Sequence, residues 1–191
     1  MLKMVNIFFT DWDPIVAAKD SCDSYVIKIP IEVAMLLSAI HWRLEGYDGP
    51  AGSGLPLVIS ENGNILSAIG PYKDSKVIKS TSETYKWLIK STGNYDYAIK
   101  YGFGLVEEYK KRYGKLHSVE GVLIWLKVHV PSCISVGPLT TDVGLGMPNI
   151  YKNRADPTQS YKNYLFYEKF DVMKWKYGQT PAWYTKINTN I

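Results

Sequence analysis

Between Cys22 and Glu45 the chain reads CDSYVIKIPIEVAMLLSAIHWRLE. Val26, Ile29, Val33, Leu36, Leu37, Ile40 and Leu44 recur there at steps of three and four. That spacing predicts a helix of about six turns with one apolar stripe, around which the rest of the chain is organised. Asp23 is the expected N-cap and Gly46 the expected stop. Pro30 conflicts with the pattern, because inside a helix it removes a backbone donor and costs about 3 kcal/mol. Two arrangements accommodate it: a kink, or a helix that starts near Ile29 with Pro30 in its first turn. Tyr25, Lys28, Glu32 and Met35 line a neighbouring face, with Lys28 and Glu32 one turn apart. As a solvated ion pair these two contribute roughly a few tenths of a kcal/mol. Beside an irregularity in the helix, the Glu32 carboxylate would instead meet backbone amides.

A chain of 191 residues suits one domain, 1–191, that buries roughly 70% of its unfolded surface. Its 46% apolar and 21% charged content reads as globular and soluble. Cys22 and Cys133 make no disulfide framework, which points to a reducing, intracellular setting. Positions 1–30 show no signal peptide, and no apolar run is read as a membrane span, so no membrane partner is expected. The net charge of +4 is concentrated: Tyr151 to Lys186 holds seven Lys or Arg against Asp156, Glu168 and Asp171. A basic end rich in aromatics suits a polyanion, and equally a surface tuned for solubility.

The expected fold is mainly α, a single-domain helical bundle around the central helix near 23–45. Val5 to Phe9 is a strand or an extended arm. Asp13 with Pro14 opens a short helix. The hydrophobic runs around Asn62-Gly63 allow a small β-hairpin near 57–69. Ser82 to Tyr113 reads as helix, divided at Gly93, with Gly114 as its stop. Ser118 is the expected cap of an apolar helix through Val128, and Pro131 ends it. Pro131 to Asn153 is a long loop, a kind of segment that often binds something. Asp156-Pro157 starts a helix expected to run to about Trp175, and an aromatic, basic tail follows from Thr180 to Lys186.

Little in the sequence points to metal or serine chemistry. His41, His117 and His129 are not one turn apart, no Cys-x-x-Cys occurs, and no Gly-x-Ser-x-Gly elbow is present. His117 reads as a surface loop residue. No metal and no cofactor is expected. What remains is Glu32, with Lys28 and Tyr25 beside it. A buried carboxylate acts as general acid or base, or stabilises a developing cation such as the oxocarbenium of glycosidic cleavage.

Asp23-Ser24-Tyr25-Val26, with Glu32 nine residues after the aspartate and then Leu36 and Leu37, resembles the first helix of the phage-type pyrimidine-dimer DNA glycosylases. The tail Thr180-Pro181-Ala182-Trp183-Tyr184-Thr185-Lys186 resembles that family's aromatic segment, which lies against DNA. Asn6-Ile7-Phe8, Asp13-Pro14, Ala17-Ala18, Cys22 to Lys28 and Glu108 to His117 are similar to a broader set of phage and viral proteins. Relatives in that set include enzymes that hypermodify thymine in viral DNA, among them amino acid-to-DNA transferases. Ser24-Tyr25 stands where the pattern has Lys-His, so the histidine's role is not carried over.

The resemblance implies an enzyme acting on a pyrimidine flipped out of double-stranded DNA. Glu32 would be the catalytic acid/base or cation stabiliser, and Tyr25 and Lys28 would line the pocket. Arg112, Lys115, Lys152 and Lys169 would contact phosphates, and Trp183 and Tyr184 would stack near the target. The bland alternatives are that Arg112 caps its helix through the dipole and that Trp183 is core or cover. Two further functions stand beside this one: an amino acid:DNA transferase modifying thymine-derived bases, and a DNA-binding or virion/host-interaction protein without catalysis.

Overall fold

The computed structural model describes residues 6–52 and 70–188. The expected hairpin near 57–69 lies outside the described residues. Among them the regular structure is helical, as the apolar periodicity demands, and no strand occurs. The helices are α1 (Pro14–Lys19), α2 (Asp23–Ile40), α3 (Glu83–Leu88), α4 (Thr92–Tyr113), α5 (Glu120–Val128), α6 (Pro157–Glu168) and α7 (Ala182–Asn188). The buried apolar side chains form one cluster that extends from Ile7 to Met173.

The long apolar helix is present, but it shares the centre. α1, α2, α3 and α5 all pack on α4, and α2 also meets α5. The α1–α4 crossing is close because both surfaces are small: a Cβ on Gly104 would lie 2.7 Å from the Ala18 methyl. The 82–113 stretch is divided, at residues 89–91 and not at Gly93, which lies in the first turn of α4. Ser91 caps α4 by accepting from the Asn94 N–H. The loop after α5 then supplies the Ser135 and Gly137 carbonyls to the Thr92 and Gly93 N–H groups, at 3.0 and 2.9 Å. The first turn of a helix leaves such donors orphaned, and here the long loop meets them.

α2 departs from expectation at both ends and in the middle. Cys22, not Asp23, is its N-cap, and Asp23 is the first helical residue. The helix runs continuously from Asp23 through Pro30, so it does not start near Ile29. The proline weakens the bonding of the turn before it, and there the Ile27 carbonyl accepts from His117 Nε2 at 2.9 Å. His117 is therefore buried, not a surface loop residue. After Ile40 the chain continues as a π-helical turn, His41–Glu45, closed by Gly46 at φ 68°. By length and composition the stretch Asp23–Glu45 would suffice to cross a membrane, contrary to the sequence expectation; 72% of its apolar 18-residue window is buried inside the fold, as in a core helix.

Elsewhere, Asp13 and Asp156 cap α1 and α6 as expected. Ser118 does not cap α5; Val119 holds that position without a side-chain bond. α6 stops at Glu168 instead of reaching Trp175. Residues Asn6 to Thr10 form an extended, fully buried arm. Phe8 stacks on Tyr25 of α2 at 4.7 Å, and Phe9 stacks on Tyr97 of α4 at 4.5 Å. The arm thus lies over both central helices.

Candidate functional site

Glu32 sits on α2 with 6% of its surface exposed. One carboxylate oxygen takes Lys28 Nζ at 2.8 Å. The other accepts the backbone N–H of Asn6 at 3.2 Å. The amide that meets it comes from the arm, not from an irregularity at Pro30. Lys28 is 44% exposed along its side chain, so the pair is solvated on one side only. A hydrogen bond from a buried amide to a charged acceptor contributes about 1.5–3 kcal/mol, well above what the half-exposed ion pair adds.

Asn6 is itself held on several sides. Its Nδ2 donates to the Gly146 carbonyl at 2.7 Å. Its Oδ1 accepts from Thr84 Oγ1 at 3.0 Å and from its neighbour's backbone, the Ile7 N–H, at 2.9 Å. The Tyr161 hydroxyl lies 3.3 Å from the same oxygen and 2.7 Å from the Gly144 carbonyl. The long loop, α3 and α6 therefore converge on one asparagine, and through its amide they fix where the Glu32 carboxylate points.

Tyr25 lies seven positions before Glu32, about two turns away on the same face. Burial pushes its phenol far above the ordinary tyrosine range, and the nearby Glu32 carboxylate pushes it the same way. It is a neutral phenol whose ring is fixed by Phe8. Tyr164 of α6 is the neighbour that sequence reasoning missed. It is buried, its ring lies 5.7 Å from that of Tyr151, and Lys169 sits over it at 5.3 Å. The only signal was the aromatic stripe of α6, which names a face and not a function.

The candidates divide accordingly. Tyr25, Lys28 and Glu32 share one face of α2, and Lys169 reaches its edge through Tyr164. Lys152 is tied to Glu83 at 2.7 Å. Lys115 is exposed beyond the end of α4. Arg112 is not a free phosphate ligand: its side chain is 1% exposed and its donors go to Glu108, Asp23 and the Ser21 and Lys19 carbonyls. Nor does it merely cap α4; it ties that helix to the α1–α2 junction. Trp183 donates to the Asp20 carboxylate at 2.8 Å, and Tyr184 packs between Phe166 and Trp175. These tail rings act as cover. Burial raises the Asp20 carboxyl above its usual range, against the hydrogen bond from Trp183.

Among the described residues no three His, Cys, Asp or Glu side chains come together as metal ligands do. His41 meets Glu45 at 2.8 Å and the Tyr95 hydroxyl at 3.3 Å, inside the core. His129 stacks on Trp125 at 4.3 Å. Three surface hollows are described, of about 400, 330 and 220 Å³. None of the three is lined by Glu32.

Compared with known proteins, the chain matches no protein-family model, no curated protein and no solved structure.

Proposed function

We propose that the protein acts on a pyrimidine base in DNA, with Glu32 as the group that meets the reacting atoms. The observation that carries this reading is the Glu32 carboxylate, nearly dry, aimed by the Asn6 amide and flanked by Lys28 and Tyr25. Such a carboxylate stabilises positive charge developing on a sugar as its bond to the base loosens, or moves a proton during transfer of a group onto the base. The resemblance of the Asp23 to Leu37 stretch to the pyrimidine-dimer glycosylases supports excision. The resemblance to thymine-modifying relatives supports transfer, with an amino acid as one donor. The setting is the cell interior that holds the DNA.

The test is the intact mass and nucleoside digest of DNA incubated with the protein, using thymine, hydroxymethyluracil and dimer-bearing duplexes. Wild-type protein changes one of them, and Glu32→Gln abolishes the change while DNA affinity stays within about twofold. Unchanged DNA from wild type, or equal turnover by both, overturns the reading.

A second reading is a DNA-binding protein without catalysis. It is favoured by the part Glu32 plays in holding the arm, which alone accounts for a buried carboxylate, and by the absence of Glu32 from the three described hollows.

A further inference from the structure

The hollow of about 330 Å³ lies where the end of α4, the end of α1 and the segment after α6 meet. Arg112 and Glu108 line it, with Lys19, Lys111 and Tyr177 around them. The acids here are compensated from within. Glu108 accepts from Arg112 at 2.9 and 3.1 Å and lies 3.7 Å from Lys111. Asp23 accepts from Arg112 and from the backbone N–H groups of Lys176 and Tyr177, at 2.6 and 3.0 Å. Lys111 is 77% exposed along its side chain, and Lys19 and Lys176 are exposed with no acidic partner among the described residues.

Tyr177 completes the arrangement. It is 56% exposed, although its backbone is pinned to α2 by Asp23 and its ring leans on Tyr113 at 5.5 Å. Lys176 lies over the same ring at 5.2 Å. An exposed aromatic face on a fixed backbone, rimmed by exposed cations of which only Lys111 has an acidic neighbour, is what an unpaired nucleobase and its phosphates recognise. The hollow is of the size that takes one small planar group.

We propose that this hollow grips a single DNA strand, with phosphates along Lys19, Lys111 and Lys176 and an unpaired base against Tyr177. The inference rests on the DNA reading above and relocates the contact: Trp183, Tyr184 and Arg112 are packed inward, whereas this surface faces out.

The experiment is fluorescence anisotropy of a 5′-labelled oligothymidylate with the full chain over a range of salt. Wild type binds at low salt and weakens as salt rises. The triple variant Lys19→Ala/Lys111→Ala/Lys176→Ala lowers the slope of log K against log salt by about 2, since each single-strand phosphate contact contributes about 0.7. Tyr177→Ala weakens binding about tenfold with the slope kept, in line with the loss of one stacked base. Tyr177→Phe retains wild-type affinity. All four substituted side chains are exposed, and circular dichroism checks that each variant is folded. Wild-type binding with unaltered variants overturns this surface and leaves the DNA reading standing. Absence of wild-type binding at low salt overturns both. Displacement of the oligonucleotide by polyglutamate at equal charge concentration overturns the nucleic-acid assignment in favour of an acidic protein segment.

Discussion

The backbone N–H of Asn6 and the carboxylate of Glu32 lie 3.2 Å apart although 26 positions separate them in the chain. Through this contact the buried arm and the central helix position each other. The Asn6 side chain adds bonds to Gly146 and Thr84, and Phe8 on Tyr25 and Phe9 on Tyr97 add apolar contacts that lack such directionality.

Glu32→Ala leaves a buried amide without its acceptor and is expected to lower stability by about 1–3 kcal/mol. Glu32→Gln keeps a carbonyl oxygen in place and costs less. Urea denaturation of the two variants measures the difference; equal midpoints would show that the arm does not depend on this carboxylate.

Arg112 joins α4 to the α1–α2 junction through Glu108 and Asp23 while nearly sealed from water. Arg112→Ala takes the guanidinium from two partly buried carboxylates and is expected to cost about 3–5 kcal/mol. Arg112→Lys restores the charge without the planar fork that serves Glu108, Asp23 and two carbonyls at once, and recovers little. Thermal unfolding reads both. A near-neutral Arg112→Ala would contradict the buried network.

Acidification is expected to destabilise the π-helical turn in two stages. Burial lowers the pKa of His41 below its ordinary 6.5, outweighing the opposing pull of Glu45. Between the lowered value and 6.5 the unfolded chain binds more protons, so this contribution is full above pH 6.5 and is lost as the pH falls below it. The Glu45 carboxyl is held below its ordinary 4.5 because hydrogen bonds from Ser132 and His41 outweigh its desolvation. Its contribution is full above pH 4.5 and is lost as the pH falls through its lowered folded value. Denaturant midpoints from pH 8 to 4 should fall for wild type. His41→Asn should flatten the upper part of the curve, and an unchanged slope there would rule His41 out as the source.

Gly104→Ala places a methyl 2.7 Å from the Ala18 Cβ. Helix propensity favours the substitution by about 1 kcal/mol, but crowding at a close crossing costs about 1–3 kcal/mol. A net loss is expected. The double variant Ala18→Gly/Gly104→Ala should recover part of it by returning the space. Calorimetric midpoints decide; stabilisation by Gly104→Ala alone would mean that α1 moves away freely.

Local rules account for where four of the helices begin, although the expected caps Asp23 and Ser118 do not hold. Asp13, Ser82, Ser91 and Asp156 cap their helices because a short polar side chain one residue before the first turn reaches the free N–H groups. Helix ends follow local rules less faithfully. α6 stops at Glu168, and the chain beyond it turns back so that Trp175 and Trp183 can donate to Asp20. That preference lies in a partner more than a hundred positions away. Local reading also undervalued the glycines of α4, which are poor helix formers in isolation but serve the crossings with α1 and the long loop.

The amino-acid sequence by itself determined a mainly helical chain with an apolar helix near 23–45 that places Tyr25, Lys28 and Glu32 on one face, because the 3.6-residue period is a property of the backbone alone. Only the tertiary structure decided which charges are buried and which are free. It sealed Arg112 against Glu108 and Asp23, turned Trp183 inward onto Asp20, and left Tyr177 outside beside exposed lysines. Burial depends on what packs from elsewhere in the chain. An arginine reads the same in sequence whether its donors face water or face carbonyls contributed by another helix.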